Sequence, residues 1–258
     1  MKQRLFALVL GLVTSGASVA APTIKVDVLG QVRNPGAQVL PAGARLSDAA
    51  LAAQPLPNAY PLAAAWLRQA EQLAQTRLKA GVLFDLGQLE ERADRDPDGA
   101  QAATALAREI DSMPVTGRVP ALLAARNVEA ALPQNRPLAD GDRLVYPPRP
   151  ATVTVMGAVA QQCVLDHVPD QAPRAYLSHC PALAAASGDD LYVIQPDGHV
   201  EKLGIALWNR SPASTLAPGA IVYVPLQAST LGQTAPDLNE EVARFLATQV
   251  LDAPGVTL

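Results

Sequence analysis

Few residues in this chain have the types and spacing that chemistry requires. The most suggestive group is Asp94-Arg95-Asp96-Pro97-Asp98-Gly99, three carboxylates at alternate positions before a glycine. That is the first half of a calcium loop. The loop also needs a bidentate Glu at its twelfth position, which here is Ala105, and Arg95 adds positive charge while Pro97 constrains the bend. A solvated turn between helices accounts for the stretch better. Cys163 and Cys180 are the two cysteines. Their separation is far from Cys-x-x-Cys, which counts against a redox pair or a metal site shared with His167 and His179.

Two further features suit binding. Thr116-Gly117-Arg118 sets a guanidinium beside a flexible glycine. Arg118 there can take a carboxylate or a uronic-acid sugar bidentately, or act as a salt bridge or carbonyl clamp. Trp66 and Trp208 can stack on sugar faces, yet each sits in an apolar pattern and reads as core. There is no Gly-x-Ser-x-Gly, no His-Glu-x-x-His and no phosphate-cradling glycine loop. The three histidines, His167, His179 and His199, all fall in the second half, and no Asp/Glu pair is singled out as acid and base. No catalytic residue, metal or cofactor is expected.

The elements that must position these residues recur. Val26-Asp-Val-Leu-Gly-Gln-Val32 matches Val153-Thr-Val-Met-Gly-Ala-Val159 at an offset of 127, counted from 26 to 153. Leu138-Ala-Asp-Gly-Asp-Arg-Leu-Val-Tyr-Pro-Pro148 matches Leu216-Ala-Pro-Gly-Ala-Ile-Val-Tyr-Val-Pro-Leu226 at an offset of 78, counted from 138 to 216. Two matches in the same order and sense point to two copies of one module. The offsets differ by 49, so the first copy carries an insertion of about that length.

Within copy one, residues 24–32 alternate as a half-buried strand, Asn34-Pro35-Gly36 turns, and Ala37–Leu40 returns. Ser47-Asp48 is a plausible N-cap for a short helix. Leu62, Trp66, Leu73, Leu78 and Leu83 fall roughly on helical spacing, and Ala100–Ile110 is again helical. A helical insertion is therefore expected at about 58–112, with the next strand at Val115–Val119. Arg143–Tyr146 closes the copy, and Pro147-Pro148-Arg149-Pro150 is a stiff joint. Copy two turns at Pro196-Asp197-Gly198. A helix over 236–251 follows, with Leu238, Val242, Phe245, Leu246 and Gln249 on one side, either packed or displayed to a partner.

The N-terminus reads as an export signal spanning 1–21. Lys2 and Arg4 precede an apolar run, Leu5–Val13, too short to span a bilayer, and small residues lead to cleavage after Ala20 or Ala21. No cysteine lies there to carry a lipid. Loss of Lys2 and Arg4 takes the formal charge from −4 to −6, which gives no electrostatic case for nucleic acid. In an oxidising compartment Cys163 and Cys180 are expected to form a disulfide, which contributes ~3 kcal/mol for a loop of about 18 residues.

Several stretches together resemble the GfcC-type capsule biosynthesis family. They are Val-Thr-Gly-Arg at 115–118, Asp142–Gly157, Tyr176-Leu177, Tyr192–Gly198, Ala-Leu-Trp-Asn at 206–209, residues 218–225 and Leu238-Asn239. The resemblance covers nearly all of the chain beyond the export signal. It implies an α+β fold of two β-grasp, SLBB-like domains at 22–148 and 149–227, the first with a helical insertion, and a C-terminal amphipathic helix. It also implies a periplasmic role in capsule or exopolysaccharide export, which the missing catalytic motifs make non-enzymatic in expectation. Its partners would be the polysaccharide, an outer-membrane polysaccharide export channel of the Wza type, or both. The C-terminal helix would then dock near the membrane or channel. Arg118 falls on the family's Gly-Arg motif. A periplasmic glycan-modifying enzyme is the alternative.

Overall fold

A computed structural model describes residues 21–121, 123–124, 131–253 and 256, so the expected export segment lies outside it but for its last residue. The alternation in Thr23–Gly30 becomes strand β1, which buries Val26 and Val28 and leaves Lys25 exposed. β2 (Gly36–Pro41) returns antiparallel, and α1 (Leu46–Ala53) follows. α1 starts one residue before the expected cap. Asp48 reaches back to accept from Arg45 N at 2.8 Å, while Ser47 sits inside the helix with its N–H on Asn135 Oδ1.

Next come β3 (Ala65–Leu67), α2 (Gln69–Glu90), α3 (Pro97–Ser112), β4 (Arg118–Val119) and β5 (Arg143–Tyr146). The insertion expected at 58–112 thus contains a strand that pairs into the sheet. Three residues are too few to display a period of two, so β3 leaves no pattern in the sequence. The helical stripe also differs from expectation. α2 buries Gln75, Val82, Leu86 and Leu89, whereas Leu73 is exposed. The first sheet has the order β2-β1-β5-β3-β4, with β1 and β5 parallel.

The second half repeats it. β6 (Thr152–Gly157), β7 (Cys163–Asp166), β8 (Asp190–Ile194), β9 (Val200–Gly204) and β10 (Ile221–Val224) form a sheet of order β7-β6-β10-β8-β9, with β6 and β10 parallel. The register repeats too. Gly30 lies opposite Tyr146 and Gly157 opposite Val224, as the offsets of 127 and 78 require. Both glycines have positive φ, 89° and 105°. A Cβ on either would lie 2.2 or 2.3 Å from the carbonyl oxygen of its opposite residue. The close approach of the two parallel strands therefore demands glycine in both copies.

The connections differ. β8 and β9 are joined by a tight turn in which Gly198 N donates to Gln195 O and Gln195 N to His199 O. In the first sheet the same connection carries α2 and α3. These helices cross to the other half. Val82, Leu86, Leu89, Leu106 and Ile110 are buried in one core with Val153, Val155, Tyr223 and Phe245. At ~2 kcal/mol each, five such side chains supply on the order of 10 kcal/mol as an upper bound, comparable to a domain's whole stability.

α4 (Ala228–Leu231) and α5 (Leu238–Leu246) complete that core. Register places Met156, Tyr223 and Tyr192 on one sheet face. Tyr223 donates to Asn239 Oδ1 on α5 at 3.0 Å, so α5 covers this face. Asn239 also bonds Leu226 N and O, as a peptide group would. α5 ends at Leu246 rather than 251, where β-branched Thr248 and Val250 follow. The chain then returns to the first half, where Val250, Ala253 and Val256 pack on Ala65, Leu67 and Val145. Among the described residues no helix is long and apolar enough to cross a membrane.

Candidate functional site

Arg118 opens β4, directly after the inserted helices, and its surroundings explain the Thr-Gly-Arg order. Gly117 has φ 74°, which turns the chain into the strand. Thr116 donates to Thr248 O at 2.6 Å and accepts from Arg118 N at 3.0 Å. Gln75 of α2 accepts from Gly117 N and donates to Arg118 O, so its amide serves two backbone groups of the edge. The guanidinium is buried, with Arg118 only 6% exposed. Its two terminal nitrogens donate to Gln249 O at 2.6 Å and to Pro196 O. One side chain of the first sheet thus holds the β8–β9 turn and the segment after α5. Burial lowers the Arg118 pKa to about 10, and the charge of Asp197 works against that fall. The group stays cationic at neutral pH.

Two spaces flank this clamp. A pocket of about 140 Å³ is lined by Arg118, Thr154, Gln195, Ile221 and Leu251. Arg118 Nε has no hydrogen-bond partner among the described residues, so one N–H of the clamp is left over. A wider cleft of about 600 Å³ lies between Pro61 and Leu62 of one half and Asp197 and His199 of the other.

The remaining candidates separate. Trp66 is buried, as expected, and its Nε1 donates to Asp142 Oδ2 at 2.9 Å. Arg68 and Arg136 each lie 4.6 Å from its ring centroid, and Arg68 Nε stands 3.5 Å from Asp142. Asp142 is the buried residue that sequence reasoning missed. Its counterpart at the offset of 78 is Ala220, and that loss of charge between copies was the available signal. Trp208 corrects the core reading, because it is 77% exposed beside Leu207 at 88%. Its loop is tied by Asn209 and Ser211 rather than by its apolar residues, so a hydrophobic pattern there carries no information about burial.

Cys163 and Cys180 are joined in a disulfide with Cα atoms 6.0 Å apart. His167 Nε2 meets Leu216 O and His179 Nδ1 meets Ser178 Oγ. Asp96 caps α3 through Gly99 N and accepts from the Thr230 hydroxyl, which makes the acidic stretch an interhelix turn. Among the described residues no group of three or more His, Cys, Asp or Glu is placed to hold a metal ion.

Arg118 and Trp208 therefore stand apart, one buried between the halves and one displayed on the second. Comparison with known proteins fits the two-copy arrangement. The family model "Capsule biosynthesis GfcC, N-terminal" matches residues 20–148, and "Capsule biosynthesis GfcC C-terminal" matches residues 162–251. The "Uncharacterized protein YjbG" of Escherichia coli (strain K12) is 31% identical over 251 residues, covering 97% of this chain and 99% of that protein. Both halves being matched, and in this order, the chain belongs to the GfcC capsule biosynthesis family.

Proposed function

We propose that the protein is an exported, periplasmic accessory factor of capsule or exopolysaccharide biosynthesis, which binds glycan, the export machinery or both without catalysis. Each sheet with its covering elements is read as a β-grasp module of the SLBB kind, at 22–148 and 149–227. The order 2-1-5-3-4 with parallel first and last strands supports that assignment. The observation that carries the functional reading is the family match across both halves.

An oxidising compartment is supported by the disulfide and the basic, apolar N-terminus. In this reading Arg118 uses two nitrogens to fix the halves and offers Nε to a ligand in the small pocket. α5 spends its apolar side inside the molecule, so docking to a channel would use its exposed polar side, with Glu240 and Arg244.

The test is a deletion strain complemented with the gene. Surface polysaccharide is expected to fall on deletion and to return on complementation, with the periplasmic protein beginning at Ala21 or Pro22. Turnover of the strain's own polysaccharide by the purified protein, abolished by changing a single carboxylate, would replace this reading with the glycan-modifying enzyme.

A further inference from the structure

The loop after β9 is built to hold a shape while leaving the large apolar side chains of its tip, Leu207 and Trp208, exposed. Ser211 bonds Gly204 twice, backbone N to O at 3.0 Å and Oγ from Gly204 N at 2.9 Å. Asn209 accepts from Ala206 N and donates to Asp189 O and Asp190 Oδ1. A Cβ on Gly204 would lie 2.0 Å from Asn209 O, so the base of the loop closes against backbone. Its tip presents Leu207, Trp208 and Arg210 to solvent. Exposing a tryptophan forgoes ~2 kcal/mol of burial. The bonds of Asn209 and Ser211 hold the loop while the tryptophan stays outside the core.

Between this loop and the helical turn Pro173–Ser178 runs a groove of about 380 Å³. Its floor is apolar, with Pro173, Leu203, Ile205 and Pro212, and its charged lining residues are Arg174 and Arg210. Arg174 donates to Ile205 O at 3.3 Å, which holds its guanidinium against the groove. Among the described residues neither arginine is in an ion pair, and no carboxylate lines the groove. The acids bonded to this loop and groove are Glu201, which accepts from Ser214, Asp189, which accepts from Trp208 Nε1, and Asp190, which accepts from Asn209. The chain as a whole is net acidic at −4, so two unpaired arginines over an apolar floor are a local inversion of its charge.

We infer that this groove of the second half binds an acidic saccharide. Arg174 and Arg210 take the carboxylate of a uronate, for which the planar fork is suited. The apolar floor takes the C–H face of the ring. Trp208 has its Cα within ~7 Å of that of Arg210 and stacks on a neighbouring sugar. This rests on the glycan-binding reading above, but it places the ligand outside the Arg118 pocket.

The test uses the exported full-length protein and two probes of equal length, an oligogalacturonate and its methyl ester. Trp66 is buried, so a change in emission on binding reports Trp208. The acid is expected to bind with a Trp208 response that disappears in Trp208→Phe. Arg174→Gln/Arg210→Gln is expected to weaken binding at least ~10-fold with an unchanged melting temperature. Equal binding of acid and ester, or full binding by the double variant, would overturn the site. The same two proteins are then offered polysaccharide extracted from the producing strain. Capture by wild type and double variant alike would leave the glycan reading standing and remove the groove. Capture by neither would remove both.

Discussion

The β3–β4 and β8–β9 connections are one edge of the same sheet, built twice. In the second copy residues 195–199 close the edge as a tight turn. In the first, residues 68–117 leave the edge as two helices and come back. The sheets repeat strand for strand and register for register, so the difference is confined to what each connection covers. α2 and α3 belong to copy one by chain and to copy two by packing, since their buried residues join the second core. Copy one instead covers its sheet with α1 and the Trp66 cluster. The insertion is thus a covering layer lent across the pair, which a short, proline-rich joint at residues 147–150 connects. Arg118, at the point where the insertion rejoins its own sheet, bonds the bare turn of the other one.

Breaking what the copies share should have the largest effect. Gly30→Ala and Gly157→Ala each force a positive φ on a Cβ that meets a carbonyl oxygen, and each is expected to cost about 2–4 kcal/mol. Chemical denaturation should show similar losses for the two. A large loss at one and none at the other would end the equivalence of the copies. Breaking what joins them comes next. Arg118→Met leaves the carbonyls of Pro196 and Gln249 without a donor and should cost about 1–3 kcal/mol, read from the melting temperature. The smallest effect concerns the insertion alone. Burial raises the pKa of Glu109 on α3 above its ordinary 4.5. The folded state then binds that proton more tightly than the unfolded chain, so stability rises as pH falls through the interval between the two values. Glu109→Gln should be slightly more stable than wild type near pH 7, and the gap should close below about pH 4. A gap that persists there would show that the carboxylate is not strained by burial.

The repeat was legible because a parallel pair of strands needs valines on its faces and a glycine where backbones touch, and both copies kept them. The Cys163–Cys180 disulfide was legible from the expectation of an oxidising compartment. β3 was not, because the three residues Ala65–Leu67 are too few to display an alternation, whereas β4 (Arg118–Val119) falls at the end of the strand expected over Val115–Val119. Pairing with β5 creates β3; its own residues do not. Arg118 was legible with a carbonyl clamp as one of its two readings, but its acceptors were not, since they lie at 196 and 249, far away in sequence. Trp208 was misplaced because exposure there is set by Asn209 and Ser211, polar residues that a hydrophobic pattern ignores.

The central claim is that the first copy's insertion holds up the second copy's core, and Ile110 tests it most directly. Ile110 is fully buried on α3, within that core. Ile110→Ala should cost about 2–5 kcal/mol. Amide hydrogen exchange should then accelerate across β8, β9 and β10 while β1 and β2 keep their protection. Faster exchange in β1 and β2, with β8 to β10 unchanged, would contradict the account.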